Sequence, residues 1–235
     1  LLNQIINNHH RTPYLLHKVQ LIIRYIFKNT NILFTNLEIF SFFKSNKLII
    51  LFLIKNHIIF IDDEIVNEIL HQSQKTNSNY HHFFYPEIKQ FLNIYELENT
   101  KKELYKYDQN VLINFDEKRQ IGENDYYICE MIRNDSIVKF ISEVNRTNLS
   151  LSSIIIKPSI FETNSFLIKN APSLIEYAAF YGSIQIFQYL KYNNVEMKPL
   201  LWVYAIHGQN AELIHILEEN FIPLPQNSFD ICAIE

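Results

Sequence analysis

The chain has little glycine and little cysteine, and each shortage removes a class of function. Its 235 residues contain three glycines, Gly122, Gly182 and Gly208. A dinucleotide-binding fingerprint needs three closely spaced glycines and a phosphate-cradling P-loop needs two before its lysine, because the backbone N–H groups must approach phosphate without an intervening Cβ. Three scattered glycines can write neither. Cys129 and Cys232 are too few for a disulfide framework or a four-cysteine zinc site. Excess positive charge is missing as well. The net charge of −4 argues against a nucleic-acid surface, which depends on clustered Lys and Arg. The most apolar run, Leu48 to Ile54 with Ile58–Ile61 after it, is too short for the ~20 residues that span a bilayer. These absences predict a chain in a reducing compartment, with no cofactor, no metal, no membrane insertion, no nucleic acid and no small-molecule substrate.

What is present is apolar: 48% of residues are hydrophobic and 20% charged, enough to bury a sizeable core. Periodicity then sets the organisation. After Ala178, Ala179 and Gly182, Ser183 precedes Ile186, Phe187, Tyr189 and Leu190 at helical spacing. The same pattern recurs 27 positions later, with Asn210 before Leu213, Ile214, Ile216 and Leu217. It also recurs 49 positions earlier, with Asn134 before Ile137, Val138, Phe140 and Ile141, and 137 earlier, with Asn46 before Ile49, Ile50, Phe52 and Leu53.

In so apolar a chain the polar and small columns are the informative ones. The cap column Asn46, Asn134, Ser183, Asn210 offers a side-chain oxygen to the free N–H groups at a helix start. Ser41, Cys129, Ala178 and Ala205 form a small column beside the large column Phe40, Ile128, Tyr177, Tyr204, a pattern that lets neighbouring helices approach closely. A further step of 27 lands on Ile231 and Cys232, so the chain is expected to end within the first helix of another, truncated repeat.

The remaining segments are less regular. Pro13 to Lys28 reads as an amphipathic helix, and Asp62 as the cap of a helix holding Ile65, Val66, Ile69 and Leu70. Gln72–His82 reads as a polar loop, and Pro86 as the opening of a helical segment with Ile88, Phe91, Leu92 and Tyr95. Ser150–Ile156 has the makings of a short extended piece. The expected organisation is a helical N-terminal region over 1–107, with one hairpin near 36–57, a linker over 108–124, and repeats over 125–235.

The run Ser173-Leu174-Ile175-Glu176-Tyr177-Ala178-Ala179-Phe180-Tyr181-Gly182-Ser183 resembles the first helix and glycine turn of an ankyrin repeat. Ile184 to Asn194 resembles its second helix, and Leu201 to Asn220 the next repeat. With Ile128–Arg133, Asn134-Asp135-Ser136 and Lys157–Phe161, the whole is similar to a large protist family of ankyrin-repeat proteins whose helical N-terminal region has no assigned function. That resemblance implies an all-α solenoid of degenerate, ankyrin-like helix–turn–helix repeats after an irregular helical region. It also implies a non-catalytic scaffold in the cytoplasm with a protein partner. Ankyrin repeats run near 33 residues, so a spacing of 27 implies a shortened connection. Where the repeat usually has glycine after its second helix this chain has His57, Asn194 and Phe221, and a left-handed turn there would suit Phe221 poorly.

Phe180 and Tyr181, at positions that vary among ankyrin repeats, and His207 are the candidate partner contacts. Asp62-Asp63-Glu64 is explained as acids at a helix start and Cys129 as core. His9-His10 and His81-His82 are adjacent pairs, which seldom converge on one ion. The alternative function is an enzyme of unknown type with its site in the N-terminal region, the repeats then serving as a targeting module. It requires a pocket uniting several of His57, His71, His81, Asp62 and Glu64.

Overall fold

The computed structural model describes residues 13–29, 34–76 and 79–225; His9-His10 and the expected truncated repeat at Ile231 and Cys232 lie outside them. Among the described residues the regular structure is all-helical. The stretch read as extended contributes one antiparallel bridge, Ile155 to Ser173, and Ile156 N–H donates to the Pro172 carbonyl (2.7 Å). No helix among the described residues is long and apolar enough to cross a membrane. The chain divides into two compact units, residues 1–123 with 159–165, and residues 124–158 with 166–235.

The first unit begins with α1 (Pro13–Asn29), followed by a hairpin of α2 (Asn36–Phe43) and α3 (Lys47–Lys55) and by α4 (Asp63–Thr76). Helix α2 starts where Thr35 and Glu38 exchange hydrogen bonds with each other's backbone N–H in a capping box. Asn46 caps α3 by accepting from Ile49 N–H (3.1 Å), and Asp62 caps α4 by accepting from Ile65 N–H (2.9 Å), both as the sequence predicts. Val19, Ile23, Phe40, Ile49, Ile50, Leu53, Ile65 and Ile69 interlock as the core of this part.

Three expectations change in this unit. Helix α4 continues to Thr76 and α5 (Tyr80–Phe83) follows, so His81 and His82 sit on a helix and not in a loop. The segment opened by Pro86 stops early, as α6 (Tyr85–Ile88). Tyr95 belongs instead to α7 (Ile94–Tyr107), because Asn93 and Glu96 form a capping box that starts a new helix. The stretch 108–124 holds α8 (Phe115–Ile121), and Val111, Phe115 and Arg119 are buried, so it belongs largely to the first unit's core instead of linking two bodies. Gly122 ends α8 with φ +70, and an added Cβ there would meet the Thr163 hydroxyl at 2.8 Å. The Gly122 carbonyl accepts from both the N–H (3.0 Å) and the hydroxyl (2.7 Å) of Thr163, tying 159–165 to this unit.

The second unit contains three hairpins, α9 (Tyr127–Arg133) with α10 (Ile137–Thr147), α12 (Leu174–Tyr181) with α13 (Ile184–Tyr192), and α14 (Leu201–Gly208) with α15 (Ala211–Glu219), and the short α11 (Ser165–Asn170) before the second of them. The first helices pack in the order α9, α12, α14, and α10 packs on α13. Tyr177, Ala178, Tyr204 and Ala205 are buried between them, where the large and small columns were expected. Ser41 is exposed, so the small column does not extend into the first unit.

The cap column is right at Asn210, which accepts from Glu212 N–H (3.0 Å) and Leu213 N–H (3.2 Å), but it changes in the first two hairpins. Helices α10 and α13 begin at Ile137 and Ile184, 47 positions apart and not 49. Asn134 therefore closes α9, and Asp135 takes the left-handed position (φ +45) that Gly182 takes after α12 (φ +69). Met131 and Ile132, not Cys129, stand where Ala178 and Ala179 stand in the next hairpin. The Asp135 carboxylate then reaches forward and accepts from Gln185 and Ile186 N–H (3.0 Å each), capping α13 from the previous hairpin. Ser183, freed from that task, donates its hydroxyl back to the Ile132 carbonyl.

Helices α12 and α14 approach each other closely at Gly208. A Cβ there would lie 2.4 Å from the Ala179 carbonyl oxygen, so α14 fits against α12 only because this position has no side chain. Gly208→Ala is expected to destabilise the protein by about 1–3 kcal/mol, as overpacking does, read as a lower urea midpoint at unchanged slope. The left-handed residues His57, Asn194 and Phe221 follow α3, α13 and α15. Phe221, 90% exposed, gains no burial to offset its conformation. Phe221→Gly is expected to raise stability by about 1 kcal/mol in the same measurement.

Candidate functional site

The three residues expected to contact a partner lie together, but inward. Phe180 has 0% exposure, with its ring 6.0 Å from Phe166 and 5.8 Å from His207, and Phe166 also meets Tyr204 (4.9 Å). Phe180 is therefore a core residue and not a surface contact: the α12 face that carries it is covered by α11 and α14. His207, half-buried, lies tilted against Phe166 (4.5 Å), and Tyr181, also half-buried, sits against Tyr177 (4.8 Å) under the Arg133 guanidinium (5.9 Å). Arg133 is itself held by the Asn124 carbonyl (2.6 Å) and the Tyr177 hydroxyl (3.0 Å). These side chains fix the hairpin interface.

The residues of the enzymatic alternative sit with different partners. Asp62 is occupied as a cap and by Asn36 (2.9 Å), Glu64 is exposed at the start of α4, His57 forms the turn after α3, and His71 lies beside Glu68 (3.9 Å). Of these, His81 enters a cluster with its neighbour His82 and with Glu103, a residue the sequence pattern did not single out.

Two of the polar groupings among the described residues of the first unit bury ionisable side chains. In one, Lys47 and Arg119 both lie against the Phe83 ring (5.1 and 5.7 Å). Arg119 is fully enclosed, donating to both carboxylate oxygens of Glu87 (2.6 and 2.9 Å), to the Phe83 carbonyl (3.0 Å) and to Asp116. Burial opposes its charge, but the Glu87 and Asp116 carboxylates outweigh it and hold the guanidinium firmly protonated. Lys47 has weaker support. Its ammonium donates to the Glu162 carbonyl (2.8 Å), and burial pushes it down to about 8 against the pull of the Glu162 carboxylate.

In the other grouping, the adjacent imidazoles of His81 and His82 lie 3.8 Å apart, centre to centre. Contrary to the expectation for neighbours in sequence, both turn toward one carboxylate: Glu103 Oε2 is 2.9 Å from His82 Nε2 and 3.8 Å from His81 Nε2. His81 is fixed from behind by Ser73, whose Oγ accepts from His81 N–H (2.7 Å) and lies 2.8 Å from Nδ1. His82 is buried, and its Nδ1 has no hydrogen-bond partner. Burial pushes His81 down to about 4 and lowers His82 too, so both rings are neutral at neutral pH. Glu103 sits on the exposed face of α7, 21 residues beyond His82, and no short motif links the two.

Comparison with protein-family models, with curated proteins and with solved structures finds no match for this chain.

The depressed Lys47 ammonium predicts a pH dependence. The folded chain releases this proton near pH 8 while the unfolded chain keeps it to about 10.4, so the unfolded state binds more protons in between and stability climbs with pH. Of the groups facing Lys47, His82 stays neutral and Arg119 charged over that range. Tyr80, raised by burial, opposes the trend only above about pH 10, where unfolded tyrosine ionises. Urea unfolding is expected to show a gain of roughly 2 kcal/mol between pH 8 and 10, and Lys47→Met is expected to flatten it.

Proposed function

We propose that this chain is a non-catalytic protein-recognition scaffold, built on a short solenoid of degenerate ankyrin-like hairpins and working in the cytoplasm. The observation that supports the reading best is the serial packing of α9, α12 and α14, in which the second and third hairpins bury the same large and small pair, Tyr177 with Ala178 and Tyr204 with Ala205. An arrangement in which each unit contacts its neighbours holds a long surface rigid without a pocket, and recognition of another folded chain uses such a surface well. The tight turns at Asp135, Gly182 and Gln209 fit the same reading.

The contacts must come from residues other than Phe180. Tyr127 and Leu200, at the entries to α9 and α14, are exposed apolar side chains on the first-helix row. Aromatic and apolar anchors of this kind carry a large share of the energy in protein interfaces.

The test is affinity capture from the source cell with wild-type chain, with the Tyr127→Ala/Leu200→Ala double variant, and with heat-unfolded chain. The expected outcome is a reproducible protein retained by wild type and lost from the double variant at unchanged melting temperature. Retention by none of the three, or by all of them equally, would contradict the scaffold reading.

A further inference from the structure

The His81–His82–Glu103 cluster is built as a ligand set, and the structure supports an inference independent of the scaffold reading. One nitrogen from each imidazole and one Glu103 oxygen lie within 4.8 Å of one another. Zinc bound at ~2.0–2.2 Å by two His nitrogens and a carboxylate holds those atoms about 3.4 Å apart. The distances from Glu103 Oε2 to the two Nε2 atoms, 2.9 and 3.8 Å, lie on either side of that value. We propose that His81, His82 and Glu103 form a binding site for a divalent zinc-class ion, with a fourth position left open to water.

Four features favour this over an incidental contact. The rings are held on α5, so their spacing does not depend on a flexible loop. Ser73 Oγ, itself on α4 and buried, is placed to accept a hydrogen bond from His81 Nδ1–H, the tautomer that leaves the Nε2 lone pair directed at Glu103; metal-ligating histidines are oriented by such partners. The two imidazole centres lie 3.8 Å apart, close enough for both rings to reach one ion. Finally, the carboxylate supplies the negative charge and is the most exposed of the three ligands, so an ion has a route from solvent and Glu103 can adjust its rotamer to close the set. The donor set of two imidazoles and one carboxylate suits zinc and the neighbouring transition ions better than calcium or magnesium, which prefer all-oxygen shells.

The experiment titrates zinc chloride into the full chain, freed of metal with chelator, by isothermal titration calorimetry at pH 7.5, and repeats the titration with cobalt(II) to read the ligand field in visible absorption. One ion per chain is expected, with the absorption of a four-coordinate cobalt site. Glu103→Gln, an exposed substitution that should leave the fold intact, is expected to weaken binding at least tenfold. Ser73→Ala is expected to weaken it about tenfold through loss of the orienting contact. His215→Gln, at the surface cluster with Glu218 and Glu219, is expected to leave it unchanged. No stoichiometric binding, an octahedral cobalt spectrum, or binding that survives Glu103→Gln would overturn the proposal, the last by locating the ion elsewhere.

Discussion

A helix end is an unsatisfied object, with N–H groups at its start and carbonyls at its finish that must find partners or water. In the second unit two of these ends satisfy each other. Asp135, just past the end of α9, accepts from the first-turn amides of α13, and Ser183, just before α13, donates to the Ile132 carbonyl near the end of α9. Neither hairpin can provide these contacts alone. The exchange fixes the register of the first two hairpins, and with it the burial of Tyr177 under Arg133 and of Phe187 and Leu190 within the core. Between the second and third hairpins packing has the corresponding role: Gly208 lies against the Ala179 backbone, and Asn210 approaches Gly182 to within 3.2 Å of where a Cβ would stand.

This division explains what the sequence reveals and what it hides. Helix starts signalled locally are legible: Asn46, Asp62 and Asn210 each cap the helix that follows, because the donor amides lie two or three residues away. The 27-residue step from Ser183 to Asn210 is legible because the apolar positions and the turn recur together. The cap contributed by Asp135 is not, since its partners lie 50 and 51 residues ahead. With the cap displaced, aligning cap residues shifts the first hairpin of this unit by two positions, and Cys129 is set in the column that Met131 fills. Phe180 was misplaced for a related reason. Its position on α12 is visible in the sequence, but the Phe166 ring and α14 that cover it are brought there by tertiary packing.

In the first unit the gap has another cause. Apolar periodicity finds helices, but buried charge has no period. Lys47 sits within the apolar opening of α3, and nothing local indicates that its ammonium ends on a backbone carbonyl 115 residues away. Arg119 likewise falls in a stretch that looks like a polar linker, yet its guanidinium is bound by two carboxylates and a carbonyl around Phe83. Burial of each charge is tolerable because the partners exist, and the better-partnered one keeps its proton more firmly. The convergence of His81 and His82 on Glu103 belongs to the same class: i and i+1 on a helix start about 100° apart, and only the approach of α7 supplies the third group.

The central claim is that the first two hairpins of the second unit complete each other's helix ends, and amide hydrogen exchange reads it directly. First-turn amides of a helix have no intrahelical acceptor and exchange quickly unless capped. The account predicts that Gln185 and Ile186 N–H are protected in the native protein. It further predicts that Asp135→Ala removes that protection while the amides in the middle of α13 remain slow. Fast exchange at Gln185 and Ile186 in the wild-type chain, or protection that persists without the Asp135 carboxylate, would contradict it.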